Sequence, residues 1–136
     1  MKRIMKFSSK KVFFVLLAIA YTSMMYYLSD HPKPLKEIRF ILGYDKVAHV
    51  FEYGIFAFLW WNALYYYNKS NLYLNKIVLI CGSIYAAIDE IHQGFTPGRD
   101  ASIYDWMADI TGLIIVLFLL TRFKKNQAAV EKNLCG

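Results

Sequence analysis

Cysteine is scarce in this chain, with only Cys81 and Cys135 among 136 residues. Their positions argue against a disulfide: Cys81 falls inside an apolar run and Cys135 in a polar tail, so they sit at different depths. The sequence has no CxxC pair, P-loop, dinucleotide-binding glycine loop or Ser-His-Asp motif, which removes those chemistries as readings. No internal repeat is evident. Acid is missing from the first eleven residues, which carry Lys2, Arg3, Lys6, Lys10 and Lys11. Proline is confined to Pro32, Pro34 and Pro97.

Apolar surface is what the chain has in abundance. Hydrophobic residues make up 57% of it and the mean hydropathy is +0.30. They come in blocks too continuous for an ordinary soluble domain. Eleven Tyr, ten Phe and three Trp suit a protein that meets a membrane interface. A net charge of +6 would suit nucleic acid if the basic residues lined one face. They cluster at helix ends instead, which points to membrane topology and away from nucleic acid. At this length residues 1–136 form one domain.

The blocks predict an all-α integral membrane protein with four transmembrane helices, at about residues 12–28, 47–67, 72–91 and 102–121. The first begins like a signal peptide, but YTSMMYYLSD follows without a small-residue cleavage site, so it reads as a retained span. Pro32 and Pro34 break that helix. Beyond them, Leu35, Ile38 and Leu42 share one helical face against Lys36, Glu37 and Arg39, and Gly43 is placed to end the turn. This predicts a short interfacial helix between the first and second spans. Trp60, Trp61 and Tyr65 to Tyr67 read as an aromatic belt at the far end of the second span. Residues 122–136 read as a mobile cytoplasmic tail.

Basic residues set the orientation. The first eleven residues, the turn with Lys69 and Lys76, and Arg122, Lys124, Lys125 and Lys132 together hold 11 of the 16 Lys and Arg. Of the ten Asp and Glu, only Glu131 lies on that side. The positive-inside rule therefore puts both termini in the cytoplasm, and the stretch DEIHQGFTPGR, Asp89 to Arg99, outside.

That stretch carries the chemistry. Ionisable groups at membrane depth are expensive and mark functional sites. Asp45, His49 and Tyr53 recur every four residues on the second span, with Glu52 adjacent. Asp89, His92 and Gln93 share a face at the end of the third, with Glu90 to its side. Ser102, Asp105, Asp109 and Gly112 form a stripe at the start of the fourth. All three stripes lie at the outer ends of their helices and should face one another rather than lipid. Pro97-Gly98 reads as a tight turn that folds Arg99 back over the site, where a guanidinium suits bidentate phosphate or carboxylate recognition.

The blocks DKVAHVFEY and DEIHQGFTPGRDASIYDWMADITG resemble the two signatures of the VanZ-like family of small bacterial membrane proteins. In that family a DK-x-x-H segment opens one span, followed by DE-x-x-Q-x-x-x-P-x-R and a later D-x-x-x-N-x-x-G. Asp45, Lys46, His49, Tyr53, Asp89, Glu90, Gln93, Pro97, Arg99, Asp105 and Gly112 fit it, and so does Ser29. Asp109 departs from it, standing where the family more usually has Asn. The resemblance implies an integral membrane protein of the cell envelope, with a founding member associated with resistance to the lipoglycopeptide teicoplanin.

Three uses of the site follow, beside a plain one. In the first, an enzyme or binder acts on a phosphate-bearing membrane lipid or lipid-linked cell-wall precursor. Lys46 and Arg99 hold the anion, with Gln93, Tyr53 and Asp109 lining the site. Asp45, His49, Asp89, Glu90 and Asp105 are the acid–base candidates. In the second, a divalent cation is the cofactor, with Asp89, Glu90, Asp105 and His49 as candidate ligands. Six carboxyls facing two fixed positive charges make such a cation, or neutral carboxyls, a matter of charge balance. The two uses are compatible, since a metal can bridge phosphate to carboxylate. The third is a proton-coupled transporter or relay, disfavoured because the inner halves of the spans offer no polar stepping stones; it would need an oligomer. The plain reading is a non-catalytic scaffold in which Asp45 pairs with Lys46, Glu90 with Arg99 and His49 with an aspartate as interhelical glue.

Overall fold

A computed structural model describes residues 9–31, 44–65 and 71–134. The described chain forms four helices, α1 (Ser9–Ser29), α2 (Tyr44–Tyr65), α3 (Asn71–Gln93) and α4 (Ile103–Leu134), and no strand. The expected spans fall within these helices to within a few residues. The interfacial helix expected at 35–43, the belt residues Tyr66 and Tyr67, and Cys135 lie outside the described residues.

Three helices are long and apolar enough to cross a membrane: α1, α3 and the Ile103–Gln127 part of α4. Their outward faces are apolar, as in the stripe Ile80, Ile84, Ile88 and Ile91 along α3. In water such faces would form an aggregation-prone surface; against lipid they are at no disadvantage. Helix α2 is as long, with 22 residues, but it carries Asp45, Lys46, His49 and Glu52 in its N-terminal half. Its position explains that tolerance, because α2 packs against α1, α3 and α4 and its most extensive contact is with α4. The core around it joins Tyr53, Phe56 and Trp61 to Leu74, Val78, Leu113 and Leu117.

Two expectations are corrected here. Trp60 and Trp61 do not form an interfacial belt; Trp60 is half-buried and Trp61 fully buried. Trp61 Nε1 donates to Asn75 Oδ1 (2.9 Å), and Asn75 Nδ2 donates to Thr121 Oγ1 (2.8 Å). Trp60 Nε1 donates to Thr22 Oγ1 (3.0 Å). An indole can be buried once its single donor is satisfied, and polar partners on neighbouring helices supply that. The second correction is to the tail, since α4 continues as helix through Leu134. Its 32 residues make a rod of about 48 Å, well beyond a hydrocarbon core of about 30 Å. Gln127, Ala128, Ala129, Glu131 and Lys132 are good helix formers and contain no breaker.

Helices α2 and α4 cross almost backbone to backbone at Gly112. A Cβ there would run into the carbonyl oxygen of Val50 and lie 3.1 Å from the Gly54 nitrogen. At Gly54 an added Cβ would meet the end of the Val116 side chain at 3.2 Å and the Gly112 carbonyl oxygen at an ordinary 3.8 Å. Gly112→Ala should therefore lower thermal stability in detergent, by about 1–3 kcal/mol of overpacking against about 1 kcal/mol returned by the better helix propensity of Ala. Gly54→Ala should cost less. Equal melting temperatures for the two variants would show that the crossing is not as tight as described.

Candidate functional site

The C-terminal ends of α1 and α3 and the N-terminal ends of α2 and α4 meet at one end of the bundle, linked by side-chain bonds. The sequence places that end together by local chemistry. Helix α3 unwinds after Gln93 through successive turn bonds, from Gly94 N to Glu90 O (3.2 Å) and from Thr96 N to Gln93 O (2.9 Å). Arg99 N then closes on Thr96 O (3.1 Å) around Pro97 and Gly98, and Gly98 has φ +80°. This is a type II turn, whose third position needs the positive φ that glycine adopts freely. Ser102 caps α4, its Oγ accepting from Asp105 N (3.3 Å).

The turn is as expected, but Arg99 does not reach over the site. Its Nη2 donates to Leu28 O (2.6 Å) and its Nε to His31 O (3.1 Å). The guanidinium thus binds carbonyls at the end of α1, where a cation also suits the helix dipole. His92 also turns to α1, stacking on Tyr26 (5.1 Å between centroids) with its Nε2 3.3 Å from Asp30 Oδ1. Neither Asp30 nor this direction was evident from the sequence. The signal was in α3's own interior stripe: Leu74, Val78, Gly82 and Ala86 run on into Asp89, Glu90 and Gln93, leaving His92 to one side.

The centre is made by His49, Glu90 and Asp109, all buried. His49 Nδ1 is 2.9 Å from Asp109 Oδ1. The Asp109 side chain has no exposed surface. Glu90, expected at the side, faces inward, and its Oε2 accepts from Ser102 N (2.8 Å) at the start of α4. Gln93 Nε2 donates to Asp89 Oδ2 (3.0 Å), and both are buried. Nearer the mouth, Lys46 Nζ donates to Asp105 Oδ1, with Asp105 buried and the lysine 43% exposed. Of the pairings expected for a scaffold, that of His49 with an aspartate is present. Lys46 pairs with Asp105, and Glu90 bonds a backbone amide. Tyr53 is fully buried below this layer, within electrostatic reach of Asp89 and Asp109.

Several buried polar atoms at this end have no hydrogen-bond partner among the described residues: Tyr53 OH, Asp89 Oδ1, Glu90 Oε1, Asp109 Oδ2 and, from α1, Ser29 Oγ. The carboxylates share a pattern. In Asp89, Glu90 and Asp109 one oxygen is bonded within the fold and the other is unpartnered. Two sets of groups are close enough to hold a metal ion, His49 with Glu90 and Asp109, and His49 with Asp45 and Asp105; each set's ligand atoms lie within 4.8 Å of one another. Asp89, a candidate ligand from the sequence, belongs to neither set.

No curated protein and no solved structure matches this chain. The sequence model of the VanZ/LLP1 family matches residues 2–124, a stretch that contains α1, α2, α3, the whole polar end and most of α4. With nine-tenths of its length and every residue of the site inside that match, the chain belongs to the VanZ/LLP1 family.

Proposed function

We propose that this VanZ-like protein crosses the bacterial cell membrane four times with both termini in the cytoplasm, and that its outward polar end binds or modifies a phosphate-bearing lipid or cell-wall precursor. The observation that carries this reading is the set of unpartnered buried atoms contributed by all four helices. A polar group buried without a partner costs about 1–3 kcal/mol. A cluster serving only as glue would be selected to pair such atoms, whereas a ligand site keeps them available. Lys46, at the exposed rim, is the cation placed to meet an incoming phosphate. His49 and the carboxyls behind it are the groups for proton transfer. Through the family resemblance, the cellular role is a contribution to teicoplanin resistance.

The scaffold reading has specific support in Arg99, whose bonds to α1 are structural, and in the Glu90–Ser102 bond. It leaves the unpartnered atoms unexplained. A proton relay across the membrane is disfavoured by distribution, since among the described residues every buried charged side chain lies at this one end.

Two experiments test the proposal. In a background with Cys81 and Cys135 replaced by Ser, Phe95→Cys, at an 83% exposed position, should react with an impermeant thiol reagent in intact cells. Lys125→Cys should react only after lysis; the opposite pattern reverses the topology. Asp89→Asn keeps the acceptor for Gln93 and removes the charge. It should abolish teicoplanin tolerance with the protein at normal abundance, whereas loss of the protein by degradation would favour the scaffold.

A further inference from the structure

We propose that His49, Glu90 and Asp109 hold a divalent cation of the Zn²⁺ or Mn²⁺ type at the floor of this site. The inference rests on the reading of the polar end as a ligand site and names the cofactor that would work there. Two observations carry it. Glu90 Oε1 and Asp109 Oδ2 are unpartnered oxygens on side chains more than nine-tenths buried, and they come from two different helices. The three ligand atoms lie within 4.8 Å of one another. Two ligands of one ion, at about 2.0–2.2 Å each, lie about 2.8–3.6 Å apart at right or tetrahedral angles, so the cluster closes on a cation with side-chain movements of about 1 Å.

Charge selects this set over the outer one. Asp105 already faces the Lys46 ammonium, and Asp45 is only half-buried. Arg99 is committed to α1 carbonyls. Among the described residues no lysine or arginine pairs with the two carboxylates beside the His49 imidazole in the deepest layer, and one divalent ion would supply the balancing charge. A nitrogen with two oxygens favours Zn²⁺ or Mn²⁺ over Mg²⁺, which prefers oxygen alone. Three protein ligands leave a coordination position open, the arrangement that lets a phosphate oxygen reach the ion.

The test uses the full chain in mild detergent, stripped by a chelator and then titrated separately with Zn²⁺, Mn²⁺ and Mg²⁺. Zn²⁺ or Mn²⁺ should bind at one per chain and more tightly than Mg²⁺. At a hundredfold excess over Kd it should raise the melting temperature by roughly 5 °C or more. Glu90→Gln keeps the acceptor for Ser102 N, and Asp109→Asn keeps the acceptor for His49. Each should weaken binding at least about tenfold, the lower bound for disturbing even an outer-shell group. Asp30→Asn should leave binding unchanged. Absence of stoichiometric Zn²⁺ or Mn²⁺, or wild-type affinity in both Glu90→Gln and Asp109→Asn, overturns the proposal in favour of protonated or hydrated carboxyls. Should those variants fail to fold, Co²⁺ bound to the wild-type chain decides: visible bands of a nitrogen- and oxygen-ligated ion are expected, and the spectrum of the free aqua ion overturns the site. Assay of the same preparations for phosphate-bearing lipid separates the two readings. Lipid retained without any cation leaves the proposed function and removes the metal, while a cation without lipid does the reverse.

Discussion

The near contact of the α2 and α4 backbones at Gly112 fixes the distances on which the polar end depends. Val50, whose carbonyl meets Gly112, follows His49 directly, and Asp109 lies one turn before Gly112 on the facing helix. Any larger residue at the crossing would push the two helices apart and open the His49–Asp109 contact with them. Small residues at membrane-helix crossings usually serve association, because without a hydrophobic drive between helices close packing must hold them. Here the same closeness also sets the geometry of two ionisable groups. The most extensive helix pair in the fold is thus the one that carries the centre of the site.

Enclosure is the second requirement. Helix α2 brings Asp45, Lys46, His49 and Glu52 to a bundle whose other helices present isoleucine, leucine and phenylalanine outward. Its own outward residues Val47, Phe51, Ile55 and Phe58 are apolar too, while His49 is buried among its neighbours. Other elements bind the helix ends: Arg99 reaches from the α3–α4 turn to carbonyls ending α1, and Glu90 accepts from the Ser102 amide just before α4. The side chains that look most like ligand-binding groups in the sequence are partly the fasteners of the helix ends.

The four long helices, the location of the polar end and the turn at Pro97-Gly98 were legible because each has a local cause. Continuous apolar runs, spacings of three and four, and glycine's freedom at positive φ are written in neighbouring residues. Asp45, His49 and Asp109 could be assigned to inward stripes for the same reason. What was not legible depends on partners distant in the chain. The reach of Arg99 was settled by Leu28 and His31, about seventy residues earlier. His92 was drawn aside by Tyr26 and Asp30, and Trp61 inward by Asn75. Helical periodicity could not choose between Asp89 and Glu90 because adjacent residues point about 100° apart, and a helix surrounded on several sides can bury both.

The contrast between a scaffold and a ligand site loses its force once the carboxylates are taken oxygen by oxygen. Asp89, Glu90 and Asp109 each commit one oxygen to a bond that positions an element: an amide side chain one turn on, the amide that opens α4, and an imidazole on α2. The second oxygen of each remains buried and unpartnered. A carboxylate held by one oxygen has little rotational freedom left, so the other is presented in a fixed direction. Loss of the positioning bond would leave a floppy acid, and pairing of both oxygens would leave no acceptor for a ligand. The division supplies the preorganisation that a binding or catalytic group needs, because the ordering cost is met when the helices pack rather than when the ligand arrives.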